Sequence, residues 1–179
     1  MSPKAFAKPS ISPACGGKTH DEHERQPGTV ARSDCALTGA SAVSWCDEPP
    51  PPLLLEGIAQ FNRGEYFAQH ETLEILWRAE ARPVRRLYQG ILQIGVAFHH
   101  LRRRNYHGVV YMLTRGQMYL RPFAPRCQTV DVEALLEAAA LTLSRVEELG
   151  PTRLHEFDWG LAPRVSFVEP RRAAHRGGS

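Results

Sequence analysis

The sequence predicts an all-α protein, a compact bundle of about five helices, and three observations predict it. No segment between Leu53 and Gly150 alternates apolar and polar residues with a period of two, so no sheet is expected there. Five stretches of helical spacing follow one another, set apart by glycine and proline punctuation. Two turns, Asn62-Arg63-Gly64-Glu65-Tyr66 and Arg102-Arg103-Arg104-Asn105-Tyr106, look alike, and their tyrosines lie forty residues apart. That spacing suggests two helical hairpins stacked on each other and closed by a further helix.

The first helix is expected over Leu53 to Arg63, stopped at Gly64. The second runs from Glu65 to Glu80, ahead of Pro83, which bars helical backbone at the residue before it. Val84 to Arg103 is the longest. Its stripe Leu87, Ile91, Ile94, Phe98 and Leu101 is flanked by a second one, Tyr88, Leu92, Gly95 and His99, which places this helix centrally with neighbours on both sides. Tyr106 to Leu120 is ended by Pro122 and Pro125, and the fifth helix opens at Asp131, a good N-cap, and runs to Gly150. In the segment Pro151 to Ser179, Phe157, Trp159 and Phe167 are expected across the bundle before a basic tail from Arg171 frays. Residues 1–48 lack sustained period and precede the stiff run Pro49 to Pro52, so the domain organisation reads as a disordered extension at 1–48, a helical domain at 49–150 and a C-terminal extension at 151–179.

Composition narrows the function classes. The chain has 179 residues, 42% of them hydrophobic, which suffices for one domain with a real core. No run reaches the ~20 apolar residues of a membrane span, and Met1 to Gly17 lacks the apolar stretch of a signal peptide, so the expectation is a cytoplasmic protein without a membrane partner. Four cysteines, Cys15, Cys35, Cys46 and Cys127, stand far apart and are poor material for a disulfide framework. Cys15, His20, His23 and Cys35 have zinc-ligand chemistry but match no standard spacing. The net charge is +3, unevenly spread: from Ala81 to Val130 there is no acid but there are nine arginines, Arg82, Arg85, Arg86, Arg102, Arg103, Arg104, Arg115, Arg121 and Arg126. Acidic stretches on either side favour pairing at helix rims over a phosphate-binding face, so nucleic acid is not the expected partner.

Chemistry concentrates on the second helix. On a wheel of about 100° per residue, Tyr66, Phe67, Leu73 and Trp77 form an apolar face with His70 and Glu74 in its middle and Glu71 at its rim. A carboxylate in such an interface needs a partner, and His70, one turn earlier, is the nearest. Gln89, Gln93 and His99 on the third helix are expected to meet His70 and Glu74.

The string Phe61-Asn62-Arg63-Gly64-Glu65-Tyr66-Phe67, then His70-Glu71, Glu74 and Trp77, then Tyr88-Gln89-Gly90, Gln93, Ala97, His99 and His100, then Asn105-Tyr106-His107-Gly108, resembles the family called domain of unknown function 309. The resemblance covers roughly Leu53 to Gly150. It implies a small all-helical bundle, often a stand-alone bacterial or archaeal protein, and no established activity. Its motif positions fall on His70, Glu71, Glu74, Trp77, Gln89, Gly90 and His99.

Three readings of this cluster stand. A buried polar network of Glu74, His70 and Gln89 or His99 would fix helix register. A groove presenting Trp77, Tyr88 and the arginines would bind a protein partner or a second copy, or weakly an anion or nucleic acid. A divalent metal or acid–base site would use His70, Glu74 and His99, although the chain has only one H-E-x-x-E and no H-E-x-x-H. Ser144 and Cys127 have no neighbouring base, and phosphate-loop and dinucleotide motifs are absent. The balance favours a structural or interaction domain over an enzyme, with no cofactor expected.

Overall fold

The computed structural model describes residues 45–169. Most of the extension expected at 1–48, the tail from Arg171 and the set Cys15, His20, His23 and Cys35 lie outside the described residues.

Helix α1 spans Pro52–Asn62; proline at its start loses nothing, since the first N–H groups of a helix lack intrahelical partners, and Leu54, Ile58 and Phe61 are buried at helical spacing. Helix α2, Tyr66–Ala79, buries Tyr66, Gln69 and Leu73, and the chain leaves it in extended backbone at Glu80, before Pro83. Helix α3, Arg85–Arg102, buries Leu87, Ile91, Ile94 and Phe98 on one side and Tyr88, Leu92 and Gly95 beside them. It is therefore the central helix, packed against both α2 and α4, Tyr106–Leu120. Helix α5, Val132–Arg153, closes the bundle against α4. Asp131 caps it by accepting from the Ala134 N–H at 3.0 Å, and its regular backbone breaks at Gly150, where φ is +63.

The likeness of the two turns is geometric as well as sequential. The Glu65 N–H reaches back to the Gln60 carbonyl at 2.9 Å and the Asn105 N–H to the His100 carbonyl at 3.0 Å. These are the long back-bonds of a helix stop in which one residue is left-handed. Gly64 takes that conformation in the first turn (φ +76) and Arg104, a residue that pays for it sterically, in the second (φ +54).

Small residues set the spacing of the central pair. A methyl group on Gly90 would lie 2.7 Å from the Leu120 side chain, and one on Gly116 would lie 2.8 Å from that of Ile94. Both helices thus approach backbone to backbone.

One expectation is corrected here. Between α4 and α5, β1 (Arg126–Cys127) and β2 (Val130–Asp131) pair antiparallel, with Arg126 opposite Asp131 and Cys127 opposite Val130. The turn residues Gln128 and Thr129 both have positive φ, 48 and 62, as a tight two-residue hairpin demands. Strands of two residues are too short to show alternation in the sequence. The C-terminal strap then returns over the bundle: Val130 bridges Phe167, Phe157 packs on Phe98 with ring centroids 6.4 Å apart, and Trp159 lies 6.3 Å from the same ring.

A second correction concerns cysteine. Cys46 and Cys127, 81 residues apart, are joined by a disulfide, where the spacing in sequence suggested no such use. The bond depends on the 126–131 hairpin meeting the chain ahead of α1, a contact between distant segments that local spacing does not encode.

Candidate functional site

The register of α2 decides what the site contains. Gln69, Leu73 and Tyr66 turn inward, while Phe67 is 64% exposed, so the buried stripe is rotated from the one the sequence suggested. The reason lies on α3. Gln69 is fully buried and lies directly over Gly95, where a methyl group would overlap its Oε1, and its Nε2 donates to the Ile91 carbonyl at 3.3 Å. Gly95 is the space that lets a carboxamide enter the interface. Gln69 was missed by the sequence reading; its signal is the three-four spacing Tyr66, Gln69, Leu73.

This rotation leaves His70 at the edge of the interface. His70 and His99 face the same cavity of about 180 Å³ between α2 and α3, walled by Tyr66, Phe67 and Val96. The Phe67 and His99 rings lie 6.3 Å apart, and the His99 and His100 rings 6.2 Å apart. Because Phe67 is largely exposed, the cavity opens to water along that ring.

Glu74 does not join the histidines. Its carboxylate pairs with Arg78, one turn on, at 2.8 Å with the Glu74 side chain 31% exposed, so solvent and a guanidinium compensate its charge. Among the described residues no three His, Cys, Asp or Glu side chains are grouped to hold a metal ion, and the set His70, Glu74 and His99 is not assembled. Glu71 is exposed, and Gln89 and Gln93 are half-buried. Neither glutamine lines the cavity.

The aromatic candidates separate too. Tyr88 is fully buried and its hydroxyl donates to Gln128 Oε1 at 3.0 Å, so it cannot be presented to a partner. Trp77 is half-buried, with the Arg85 guanidinium 5.3 Å above its ring. The other arginines divide. Arg82 binds Glu80 and Glu48 at 2.8 and 2.9 Å, which holds the Glu80 carboxyl below its ordinary range, mainly through the side-chain hydrogen bond. Arg102 lies 4.8 Å over the Tyr66 ring and 5.7 Å over that of Trp159. Arg115 is engaged with Tyr111 and Tyr119. Arg86, Arg103, Arg104 and Arg121 have no ion-pair partner among the described residues.

The cavity thus adjoins a basic turn running from His99 to Arg104. Burial, then the positive charges of His99 and Arg103, push the His100 imidazole below its ordinary value. Among the described residues no helix is long and apolar enough to cross a membrane.

No curated protein matches the chain. Residues 54–112 match a family model, and that span covers both hairpin turns and every residue of the imidazole cavity. The family whose model matches residues 54–112 is described as Domain of unknown function (DUF309), and the hairpin region of this chain is similar to it.

Proposed function

We propose that this domain is a protein interaction module whose contact site is the cavity between α2 and α3. The observation that carries the reading is Phe67, 64% exposed at the mouth of an apolar cavity that also holds His70 and His99. An aromatic ring left in water beside unfilled apolar space gains by association, since burial of such surface is worth about 25 cal/mol per Å². The cavity has room for one large apolar side chain. The occupant we infer is such a side chain in an acidic segment of a partner protein, because the α3 bank continues into His99, His100, Arg102, Arg103 and Arg104 without an acid from Ala81 to Val130. We place the protein in the cytoplasm on the composition of the chain.

Selection from a random peptide display library against the full chain tests this. Enriched peptides are expected to combine an aromatic or leucine anchor with Asp and Glu, to shift the ring resonances of His70 and His99, and to bind at least about tenfold more weakly to Phe67→Ser, equivalent to about 1.4 kcal/mol. Peptides that bind the variant equally well, or shift resonances elsewhere, would remove the cavity as the contact site.

A further inference from the structure

The other built feature of the molecule is where the chain ahead of α1 meets the hairpin of β1 and β2. Trp45 and Cys46 are half-buried and pack against the core. Apart from the disulfide to Cys127, the polar contacts holding Trp45 to Glu48 are few. The Gln128 N–H donates to the Cys46 carbonyl at 2.7 Å, Asp47 pairs with Arg126 at 3.5 Å, and Glu48 pairs with Arg82 at 2.9 Å. The Asp47–Arg126 pair is a single long contact and stabilises little, whereas Arg82 holds the Glu48 carboxylate through two hydrogen bonds at 2.9 and 3.0 Å while also binding Glu80. The same segment forms one wall of a cavity of about 740 Å³, where Cys46 and Asp47 face Phe123, Arg126, Asp131 and Glu133.

We propose that Cys46 and Cys127 form a redox latch: oxidised, the bond holds Cys46 and Asp47 as a wall of this cavity; reduced, Trp45 to Asp47 leave and the cavity opens on that side. The inference is independent of the interaction site on α2 and α3. A cytoplasmic disulfide is as a rule transient or sensing, so a latch suits the compartment proposed above. In opening, a small-molecule thiolate attacks the Cys46 sulfur, because Cys127 is fully buried and Cys46 is not. A mixed disulfide forms on Cys46, and Cys127 departs as a thiolate and takes up a proton. A second small thiolate then attacks the outer sulfur of the mixed disulfide and frees Cys46, which is protonated in turn. The small thiols leave as one disulfide, having supplied two electrons. Closing is the reverse, with a small-molecule disulfide as the oxidant.

The test uses the full chain carrying Cys15→Ser and Cys35→Ser, so that only this pair titrates. After incubation with oxidised glutathione, the denatured protein is expected to show no free thiol, and after dithiothreitol two. Hydrogen exchange reads the latch through the Gln128 amide, whose acceptor is the Cys46 carbonyl. Reduction is expected to lower its protection at least tenfold while amides of α2 and α3 keep theirs, and Cys46→Ser is expected to match the reduced protein in either buffer. Two thiols persisting with the oxidant would overturn the latch, as would unchanged protection at Gln128. Loss of protection throughout the domain on reduction would also overturn it, since the bond would then be a staple for the whole fold.

Discussion

The Asn62 carboxamide and the Val165 backbone, 103 residues apart, are joined reciprocally: Asn62 Nδ2 donates to the Val165 carbonyl at 2.9 Å, and the Val165 N–H donates to Asn62 Oδ1 at 2.9 Å. This pair fastens the C-terminal strap to the end of α1. Only a side chain that both donates and accepts can make it. Asn62→Asp, which keeps the shape but removes the donor, is expected to cost about 1–3 kcal/mol in urea unfolding. A change below about 0.5 kcal/mol would show that the strap does not depend on Asn62.

The left-handed positions of the two turns are occupied by different residues, and their substitutions should act in opposite directions. Gly64→Ala is expected to destabilise by about 1–2 kcal/mol and Arg104→Gly to stabilise by up to about 1 kcal/mol, read from denaturation midpoints. A loss at Arg104→Gly would mean that the arginine side chain outweighs its backbone cost.

The phase of α2 is open to a direct check. Phe67→Ser, at an exposed position, should leave stability within about 0.5 kcal/mol, whereas Tyr66→Ser, next to it and buried, should lose about 3 kcal/mol or more. Thermal unfolding of both variants distinguishes the two. Equal losses would return Phe67 to the interior.

Gln69 and Gly95 should be energetically coupled. Gly95→Ala places a methyl group against Gln69 Oε1 and is expected to cost about 1–3 kcal/mol. In a Gln69→Ala background the same change should cost at least about 1 kcal/mol less, because the overlap is gone. Additive values across the four proteins would rule the contact out as the determinant of helix spacing.

His100 gives the fold a dependence on pH. Asn105 accepts from the Gly108 N–H through Oδ1 and so turns its Nδ2 donor to His100 Nδ1, 3.1 Å away, a contact that needs the ring unprotonated there. Burial lowers the folded value below the ordinary one near 6.5, so the folded protein holds fewer protons than the unfolded one. Stability from this group is complete above the unfolded value and is lost as pH falls through it toward the lower folded value. The unfolding midpoint should therefore fall between about pH 7.5 and 5.5, less steeply in His100→Gln. Glu65 and Glu80, held below the usual 4.5 chiefly by hydrogen bonds from Arg63 and Arg82, act in a separate, more acidic window. Their contribution is present above that value and lost as pH falls below it. An unchanged slope in His100→Gln would assign the dependence to another group.

What the sequence by itself determined was local. Helix boundaries at Gly64, Pro83, Asp131 and Gly150, the two like turns, the all-α class and the family resemblance all follow from caps, breakers and spacing within a few residues, where the free energies involved are set by near neighbours. The Glu74–Arg78 pair is legible on the same terms, as an i, i+4 contact, but His70 stands equally far on the other side, and spacing alone does not choose between them. Tertiary structure decided the rest. Which face of α2 turns inward depends on Gly95 offering room to Gln69, so His70 and His99 meet at a cavity while Glu74 does not. The hydrogen bond of buried Tyr88 to Gln128 and the Cys46–Cys127 bond join residues 40 and 81 positions apart. Such contacts form only when the whole bundle packs, because their stabilisation comes from shared burial rather than from any local preference of the chain.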